Sequence, residues 1–261
     1  MKTATTAMKL CRILEQFQEH QSFGITDLAR RTELLPSDLH RLLASLRVFG
    51  YIEQDQKTRK YRLGSSLIRL AALQWDVLCE RAHPALDRLS QTVAADTWLA
   101  LLDKRRIKVF LVDQATGRAD RLIVAEHLGG TTPLHCTALG KTIAANLNQS
   151  LVSSALEKVG LPRYTRWTIT DPLTLQRQFQ EIRQIGYAID REEYIDGVCC
   201  LGSPLRDQNG SPFGAICTSM PSSQFHTWEE PRLGAHIKAA ALQVSAMLGT
   251  YQVSDLSTPT Y

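Results

Sequence analysis

The spacing of apolar residues over the first fifty positions predicts three helices. A first helix is expected over residues 3–20, where apolar side chains recur every three or four positions. A short second helix is expected over residues 27–32, with Thr26 as its N-cap. A third is expected over residues 36–49, because its first residue is proline, which suits that position, and Gly50 can end a helix.

The third helix is amphipathic, and a basic hairpin is expected to follow it. Its apolar side chains share one face, and they are Leu39, Leu42, Leu43 and Leu46. Polar side chains occupy the other side, and they are Ser37, His40, Arg41 and Ser45. Tyr51-Ile52 and residues 61–63 favour two short strands around a polar tip. This order of elements is typical of a winged helix-turn-helix.

The remaining pattern predicts a linker and a second domain that mixes helices and strands. Helices are expected over residues 65–79, 83–93, 137–147, 150–159, 173–185 and 228–250. Residues 97–126 are β-rich, and "QNGS" between two apolar runs predicts a hairpin. We therefore expect a first domain over residues 1–64, a linker helix over 65–82, a second domain over 83–250 and a flexible tail over 251–261.

The charge of the chain is concentrated in the predicted first domain. The net charge is +4 overall, but residues 1–70 carry +5 and the remaining residues −1. A basic segment of this kind favours an anionic partner, most often a nucleic acid, although a solvated basic face would look the same. The chain of 261 residues is long enough for two cores.

The composition also indicates the cellular compartment in which the protein is expected. No apolar run approaches the roughly 18 residues of a membrane helix, and the N-terminus lacks the apolar stretch of a secretory signal. The six cysteines follow no regular disulfide spacing. We expect a cytoplasmic protein with reduced thiols and no membrane partner.

Four segments together resemble the IclR-type bacterial transcriptional regulators. They are "SDLHRLLASLRVFGYIEQDQKTRKYRLG", "PLHCTALGK", "GYAIDREEYIDGVCCLGSPLRD" and "PFGAICTS", in the order and spacing of that family. The resemblance implies an N-terminal winged helix-turn-helix, mainly α, joined by a linker helix to a C-terminal α+β, GAF-like effector-binding domain. It also implies a homodimer or homotetramer and a palindromic double-stranded DNA operator.

The chain departs from the family pattern at one position in the turn before the predicted recognition helix and at one position within that helix. The family often has glycine where this chain has Glu33, and a residue other than glycine at positive φ there costs on the order of 1 kcal/mol. Asp38 stands where the family prefers threonine. Its carboxylate repels phosphate, but it could accept a hydrogen bond from a cytosine or cap the helix.

The predicted DNA-binding residues lie on the third helix and on the hairpin. They are Ser37, Asp38, His40, Arg41, Ser45, Arg59 and Lys60. A helix of this size fits the major groove, where short polar groups and arginine reach base edges or phosphates. On the hairpin, Arg59 and Lys60 would contact phosphate or the minor groove. The alternative for each is an exposed side chain without a contact.

The stretch "GGTTPLHCTALGKT", residues 129–142, admits several kinds of chemistry. A phosphate loop requires glycine five residues before its Gly-Lys pair, and His135 occupies that position. A cysteine nucleophile or a zinc site lacks well-spaced partners. A helix that starts at Ala138 behind an N-cap at Thr137 would instead offer backbone amides to a carboxylate.

The family resemblance implies six effector-binding residues. They are Ala138, Leu139, Asp190, Cys200, Cys217 and Ser219. Cys217 and Ser219 lie two apart on one predicted strand and should share a face, which supports this assignment independently. The alternative is a packed core without a ligand, in which Asp190 caps an element or pairs with Arg191.

These expectations combine into a transcriptional regulator, with repression favoured, of a catabolic operon. A small organic acid would control its affinity for the operator. We expect no catalytic residue, no cofactor and no metal. Two other functions remain open from the sequence: an enzyme that transforms the acid, and a thiol redox sensor that uses Cys199, Cys200 or Cys217.

Overall fold

A computed structural model describes residues 5–17, 21–117 and 128–249 of the chain. The last part of the predicted β-rich stretch and the predicted tail fall outside these residues. The chain divides into two compact units between Asp76 and Val77. The predicted domain boundaries and linker stay predictions.

The first unit contains three helices and a two-stranded hairpin. The helices are α1 (Thr5–Gln16), α2 (Ile25–Thr32) and α3 (Pro36–Val48), and the strands are β1 (Ile52–Gln54) and β2 (Tyr61–Leu63). The strands pair antiparallel, and an isolated bridge joins Phe23 to Tyr61. The winged helix-turn-helix order predicted from the sequence is confirmed.

The start of α2 differs from the prediction. The residue before the helix is Gly24, in an extended conformation, and no side chain caps the first turn. Thr26 therefore lies inside the helix, and its prediction as N-cap is wrong. The helix begins earlier because Ile25 packs against the core of the unit, and this apolar contact outweighs the choice of a capping side chain.

A small apolar core holds the first unit together. The four leucines predicted to face inward on α3 are all buried, together with Ile13, Leu28 and Ile52. In the turn between α2 and α3, Glu33 adopts the left-handed conformation, with φ of 56°. The structure thus places at this position the strain expected for a residue other than glycine.

The helix that follows is longer than predicted. Helix α4 (Ser65–Val93) runs through Pro84 without a break, whereas the sequence predicted two helices separated near residue 80. Proline removes one backbone hydrogen bond inside a helix, at a cost of about 3 kcal/mol. Burial of apolar side chains on both sides of this position offsets the loss, and these are Ala82, Ala85, Leu86 and Leu89.

The second unit is built on a six-stranded antiparallel sheet. Its strands are β3 (Asp96–Asp103), β4 (Lys108–Ala115), β5 (Thr131–Thr132), β6 (Ala188–Arg191), β7 (Val198–Arg206) and β8 (Pro212–Pro221). They lie in the order β5-β4-β3-β8-β7-β6. The hairpin predicted at "QNGS" is confirmed, because β7 pairs with β8 and Gly210 takes a positive φ of 78° in the turn.

Besides the C-terminal part of α4, the described residues of the second unit contain five helices. They are α5 (Ala138–Asn146), α6 (Gln149–Val159), α7 (Pro172–Ile185), α8 (Ser222–Phe225) and α9 (Glu230–Leu248). Both α5 and α9 contact the adjacent strands β7 and β8, which are buried along almost their whole length. Eight of the nine residues of α5 are buried, so its first turn lies deep in the unit, directly against the sheet.

Candidate functional site

The outward face of α3 carries the side chains predicted to contact DNA. Ser37, His40, Arg41 and Ser45 are exposed on it, opposite the buried leucines. The hydroxyl of Ser45 donates to the backbone carbonyl of Arg41 at 3.1 Å, so part of its hydrogen-bonding capacity is used within the helix. Arginine and histidine on an exposed helix face can reach base edges and phosphates in a major groove.

Asp38 differs from these four residues because it has an ionic partner. The ammonium of Lys9 on α1 lies 2.9 Å from an Asp38 carboxylate oxygen. The hydrogen bond and the charge of Lys9 hold the pKa of Asp38 below its usual value. No side chain caps α3, so the capping role considered for Asp38 is not its role here. Lys9 instead neutralises a carboxylate beside the basic face.

The tip of the hairpin is shaped by Asp55. Its side chain accepts hydrogen bonds from the backbone amides of Lys57 and Thr58, at 3.0 and 2.6 Å. Arg59 takes a left-handed conformation with φ of 57°, and the Gln54 amide donates to its carbonyl at 2.9 Å. The side chains of Arg59 and Lys60 are exposed on this fixed turn, where phosphate could meet them.

In the second unit, the start of α5 has the capped geometry that the sequence predicts. The hydroxyl of Thr137 accepts from the backbone amide of Gly140 at 3.0 Å and donates to the carbonyl of Pro133 at 2.7 Å. Within the described residues, the amides of Ala138 and Leu139 make no hydrogen bond. A helix start with unsatisfied amides favours an anion.

Gly140 lets the chain fold back closely on itself at this helix start. A β-carbon there would lie 2.0 Å from the carbonyl oxygen of Pro133, which no side chain could tolerate. The Gly-Lys pair that suggests a phosphate loop therefore has a packing cause: the glycine permits the close approach of the segment before the helix.

All six residues that the family resemblance implies for the effector line one cavity. They are Ala138, Leu139, Asp190, Cys200, Cys217 and Ser219. Thr132, Thr137, Tyr194, Ile195 and Val198 complete the lining, and the empty volume is about 360 Å³, including its open mouth. The effector-binding role of these residues stays a prediction, but the fold brings them together.

Strand register explains how three of these side chains meet. Asp190, Cys200 and Ser219 lie directly opposite one another on β6, β7 and β8. The thiol of Cys200 donates to the hydroxyl of Ser219 at 3.2 Å. Cys217, two residues before Ser219, faces the same cavity, as the alternation of a strand requires. The floor of the cavity is therefore a row of small polar and sulfur-containing groups.

Asp190 is the titratable group of this floor. Burial raises the pKa of Asp190 to about 7, and the nearby Lys141 charge opposes the shift. One carboxylate oxygen accepts from the backbone amide of Glu193 at 2.7 Å. A carboxyl group with this pKa is partly protonated at neutral pH, so it can donate as well as accept a hydrogen bond. It caps the turn after β6 and does not pair with Arg191, which binds Glu230.

A buried ion pair lies behind the cavity, and the sequence did not reveal it. Lys141 is fully buried on α5, and its ammonium donates to the Glu193 carboxylate and to the backbone carbonyl of Ile189. Glu193 is 4% exposed. The sequence signal was a lysine within the largely apolar segment "ALGKTIAA". A lysine is rarely buried unless an opposite charge pairs with it, so its place in this segment indicates a buried partner.

His135 and the buried thiols lie in environments that suit packing and do not favour reactivity. The Nε2 atom of His135 lies 3.0 Å from the carbonyl of Pro162, and burial lowers the pKa of the imidazole. Cys136 is fully buried, and burial raises the pKa of the Cys199 thiol. Thiolates are the reactive form, so this environment disfavours oxidation at Cys199. Among the residues that the structure describes, no three potential ligands cluster around a metal position.

Two family models cover most of the chain. Residues 6–56 match the IclR helix-turn-helix domain, and residues 70–246 match the C-terminal domain of the bacterial transcriptional regulator IclR. The first match lies within the first compact unit, and the second begins in α4, shortly before the second unit, and covers most of that unit. No helix within the described ranges has the length and apolarity needed to cross a membrane.

Curated relatives are regulators, not enzymes. The chain is 29% identical to the acetate operon repressor of Salmonella typhimurium, over 91% of this chain and 88% of that protein. It is 28% identical to the HTH-type transcriptional regulator KdgR of Escherichia coli, over 95% of this chain and 94% of that protein.

Solved structures share the fold along nearly the whole chain. An IclR transcriptional regulator from Alicyclobacillus acidocaldarius has a TM-score of 0.77 at 23% identity, covering 94% of this chain and 99% of that one. An IclR homolog from Microbacterium hydrocarbonoxydans, complexed with 4-hydroxybenzoate, has a TM-score of 0.73 at 24% identity, covering 94% and 100%. With both domain models matched, the chain belongs to the IclR family of DNA-binding bacterial transcriptional regulators.

Proposed function

We propose that this regulator represses a catabolic operon in the cytoplasm and that a small organic acid controls its affinity for the operator. The observation that carries the proposal is the cavity lined both by the helix start at Ala138 and Leu139, whose amides make no hydrogen bond within the described residues, and by the buried carboxyl of Asp190. The relatives named as the acetate operon repressor and KdgR support a catabolic role, and the 4-hydroxybenzoate complex supports a carboxylic acid as ligand.

DNA recognition is assigned to α3 and the hairpin. Arg41 and His40 on the exposed face of α3 would read base edges, while Ser37 and Ser45 add shorter contacts. Arg59 and Lys60 would contact the backbone beside the groove. Asp38, paired with Lys9, would contribute little repulsion. A homodimer or homotetramer would present two such units to the half-sites of a palindromic operator.

Effector recognition is assigned to opposite walls of the cavity. The amides of Ala138 and Leu139 would hold the ligand carboxylate. Asp190 would accept a hydrogen bond from a ligand hydroxyl, and Ser219 would donate or accept one. Cys200 and Cys217 shape the wall, which suits a partly apolar acid, for example a keto acid, a sugar acid or an aromatic carboxylate.

Binding of the acid would shift the relative arrangement of the two DNA-binding units in the oligomer. A coupling free energy of roughly 1–3 kcal/mol between effector and operator would change the operator affinity about 5- to 150-fold. The same coupling requires that operator DNA changes the affinity for the acid by an equal factor.

Operator binding in the presence of candidate acids tests the proposal. Fluorescence anisotropy would follow the full-length protein on DNA from upstream of its own gene and of the neighbouring operon, with pyruvate, gluconate and 4-hydroxybenzoate as probes. We expect one class of acid to change the apparent Kd at least 5-fold. Asp190→Ala should remove this response and leave binding without the acid intact. A response of unchanged size in Asp190→Ala would contradict the assignment of the cavity.

A further inference from the structure

The Lys141–Glu193 ion pair joins the two walls of the effector cavity. Lys141 lies one turn after Ala138, at the start of α5 that forms one wall. Glu193 directly precedes Tyr194 and Ile195, which form another wall of the same cavity. The pair itself lies outside the lining of the cavity, so neither charge is positioned to contact the ligand.

Glu193 is held at three points besides its covalent neighbours. Its side chain binds the ammonium of Lys141, and its backbone amide donates to Asp190 at 2.7 Å. Its backbone carbonyl accepts from the hydroxyl of Thr168 at 2.6 Å, while Thr165 holds the carbonyl of Glu192 at 2.6 Å. This small segment is therefore fixed from the cavity side and from the outside.

The backbone at this turn is strained. Glu192 takes a left-handed conformation with φ of 61°, which is unfavourable for a residue with a side chain. Such conformations persist where surrounding contacts impose them, and they cluster at functional sites. Glu192 is held here by its own hydrogen bonds to the carbonyl of Val198, from the amide of Gly197 and from the hydroxyl of Thr165, and its neighbour Glu193 is held by Lys141.

Joining α5 to the turn after β6 through this ion pair also carries a large desolvation cost. Both charges are removed from water, and replacement of a buried ion pair by apolar side chains of similar volume is often neutral or stabilising. Within the described residues, the second Glu193 oxygen is buried without a hydrogen-bond partner. Stability alone therefore gives a poor account of why two charges are placed at this point.

We propose that Lys141 and Glu193 are positioning residues of the effector cavity, which fix the Tyr194–Ile195 wall against the start of α5 and set the charge that Asp190 experiences. The inference deepens the proposed effector role and rests on it. The titratable groups around Asp190 are Lys141 on α5, Glu193 and Tyr194 in the following turn, and the thiols of Cys199 and Cys200 on β7. The pair thus controls both the shape and the charge state of one wall.

Two variants of the full-length protein separate positioning from packing. In Lys141→Met/Glu193→Leu the charges are replaced together, so neither is left buried alone and the fold should be retained. We expect this variant to bind the probe acid at least ten-fold more weakly than the wild type in isothermal titration, with an unfolding temperature close to that of the wild type. Equal affinity in a folded double variant would overturn the inference.

Glu193→Gln is the second variant and does not depend on survival of the double variant. Its amide oxygen can still accept from Lys141, and an ionised Asp190 can balance the lysine charge, so we expect the wall to stay in place and probe binding to persist. The Glu193 charge raises the pKa of Asp190, so its removal should lower it. Because ionised Asp190 repels a carboxylate, the loss of probe affinity with rising pH should then occur at lower pH than in the wild type. An unmoved pH profile would contradict the inference.

The probes for both variants are pyruvate, gluconate and 4-hydroxybenzoate. If the wild type binds none of them, the proposed organic-acid effector fails, and the inference falls with it. If the wild type binds a probe and both variants bind it with unchanged affinity and pH profile, only the positioning role fails.

Discussion

Under the proposed function, helices α3 and α5 would recognise their partners in opposite ways within one chain. Helix α3 buries four leucines and leaves polar side chains exposed, so its side chains are available to a partner. Helix α5 is buried along nearly its whole length, and its first-turn residues Ala138 and Leu139 line the cavity. Binding through side chains should be weakened when those side chains are removed. Binding through backbone amides should instead be weakened when a substitution adds atoms that displace the backbone.

Gly140→Ala should have the largest effect on stability and on acid binding, because it adds a β-carbon to the tightly packed start of α5. The new β-carbon would lie 2.0 Å from the Pro133 carbonyl, so the segment before α5 must move. We expect a loss of about 3 kcal/mol in the free energy of unfolding, measured in urea, together with loss of probe-acid binding. Gly24→Ala is the matched control, since its β-carbon would meet nothing closer than 3.9 Å. Equal stability of the two variants would remove the close approach as the reason for glycine.

Asp190→Asn changes the charge of the cavity rather than its shape. Burial raises the pKa of Asp190 from 3.8 to about 7 in the folded protein. The folded state therefore binds this proton more tightly than the unfolded state, and wild-type stability is lost as pH rises from about 4 to about 7.

We therefore expect Asp190→Asn to be more stable than the wild type at pH 8, by on the order of 3 kcal/mol, and to lose this advantage near pH 4. Asparagine keeps the oxygen that accepts from the Glu193 amide, so the turn itself should survive. Urea unfolding across this pH range measures the difference. A stability difference that does not vary with pH would show that Asp190 is ionised in the folded protein without penalty.

Arg41→Ala tests whether the exposed side chains of α3 contact the operator. Loss of one arginine contact to bases should weaken specific operator binding by about 1–3 kcal/mol and relax the preference at one position of the site. Lys60→Ala is the control from the hairpin, because loss of a phosphate contact should weaken all sequences similarly and reduce the salt slope by about 1. Anisotropy titrations at several salt concentrations separate the two patterns. Identical behaviour of the two variants would remove Arg41 from base recognition.

The sequence predicted the exposed and buried faces of α3 more fully than it predicted the cavity of the second unit. The leucine spacing of α3 places Arg41 and His40 outward without any tertiary information. The start of α5 also followed from local chemistry, through Thr137 as N-cap. The Lys141–Glu193 pair could not be found in this way, since its partners are 52 residues apart and meet only through the tertiary fold of the second unit.

Two local predictions were wrong for the same physical reason. Thr26 was expected to cap α2, and a new helix was expected to begin at residue 83, yet the structure has neither feature. In both places an apolar contact with the core determines the backbone, against the local preference of one residue. Ile25 packs into the first unit, and Ala82 and Ala85 are buried in the second. Local signals are reliable where packing agrees with them.

Glu33→Gly should have the smallest effect, and it concerns the turn that orients α3. Glu33 has φ of 56°, a conformation that glycine adopts without the steric conflict of a β-carbon. Glycine also loses more backbone entropy on folding, so the net gain in the free energy of unfolding should be only about 0.5–1 kcal/mol. Operator affinity should stay within about two-fold of the wild type, because the turn keeps its shape. Thermal unfolding and anisotropy measure the two quantities, and a destabilised variant would mean that contacts of the Glu33 side chain outweigh its backbone strain.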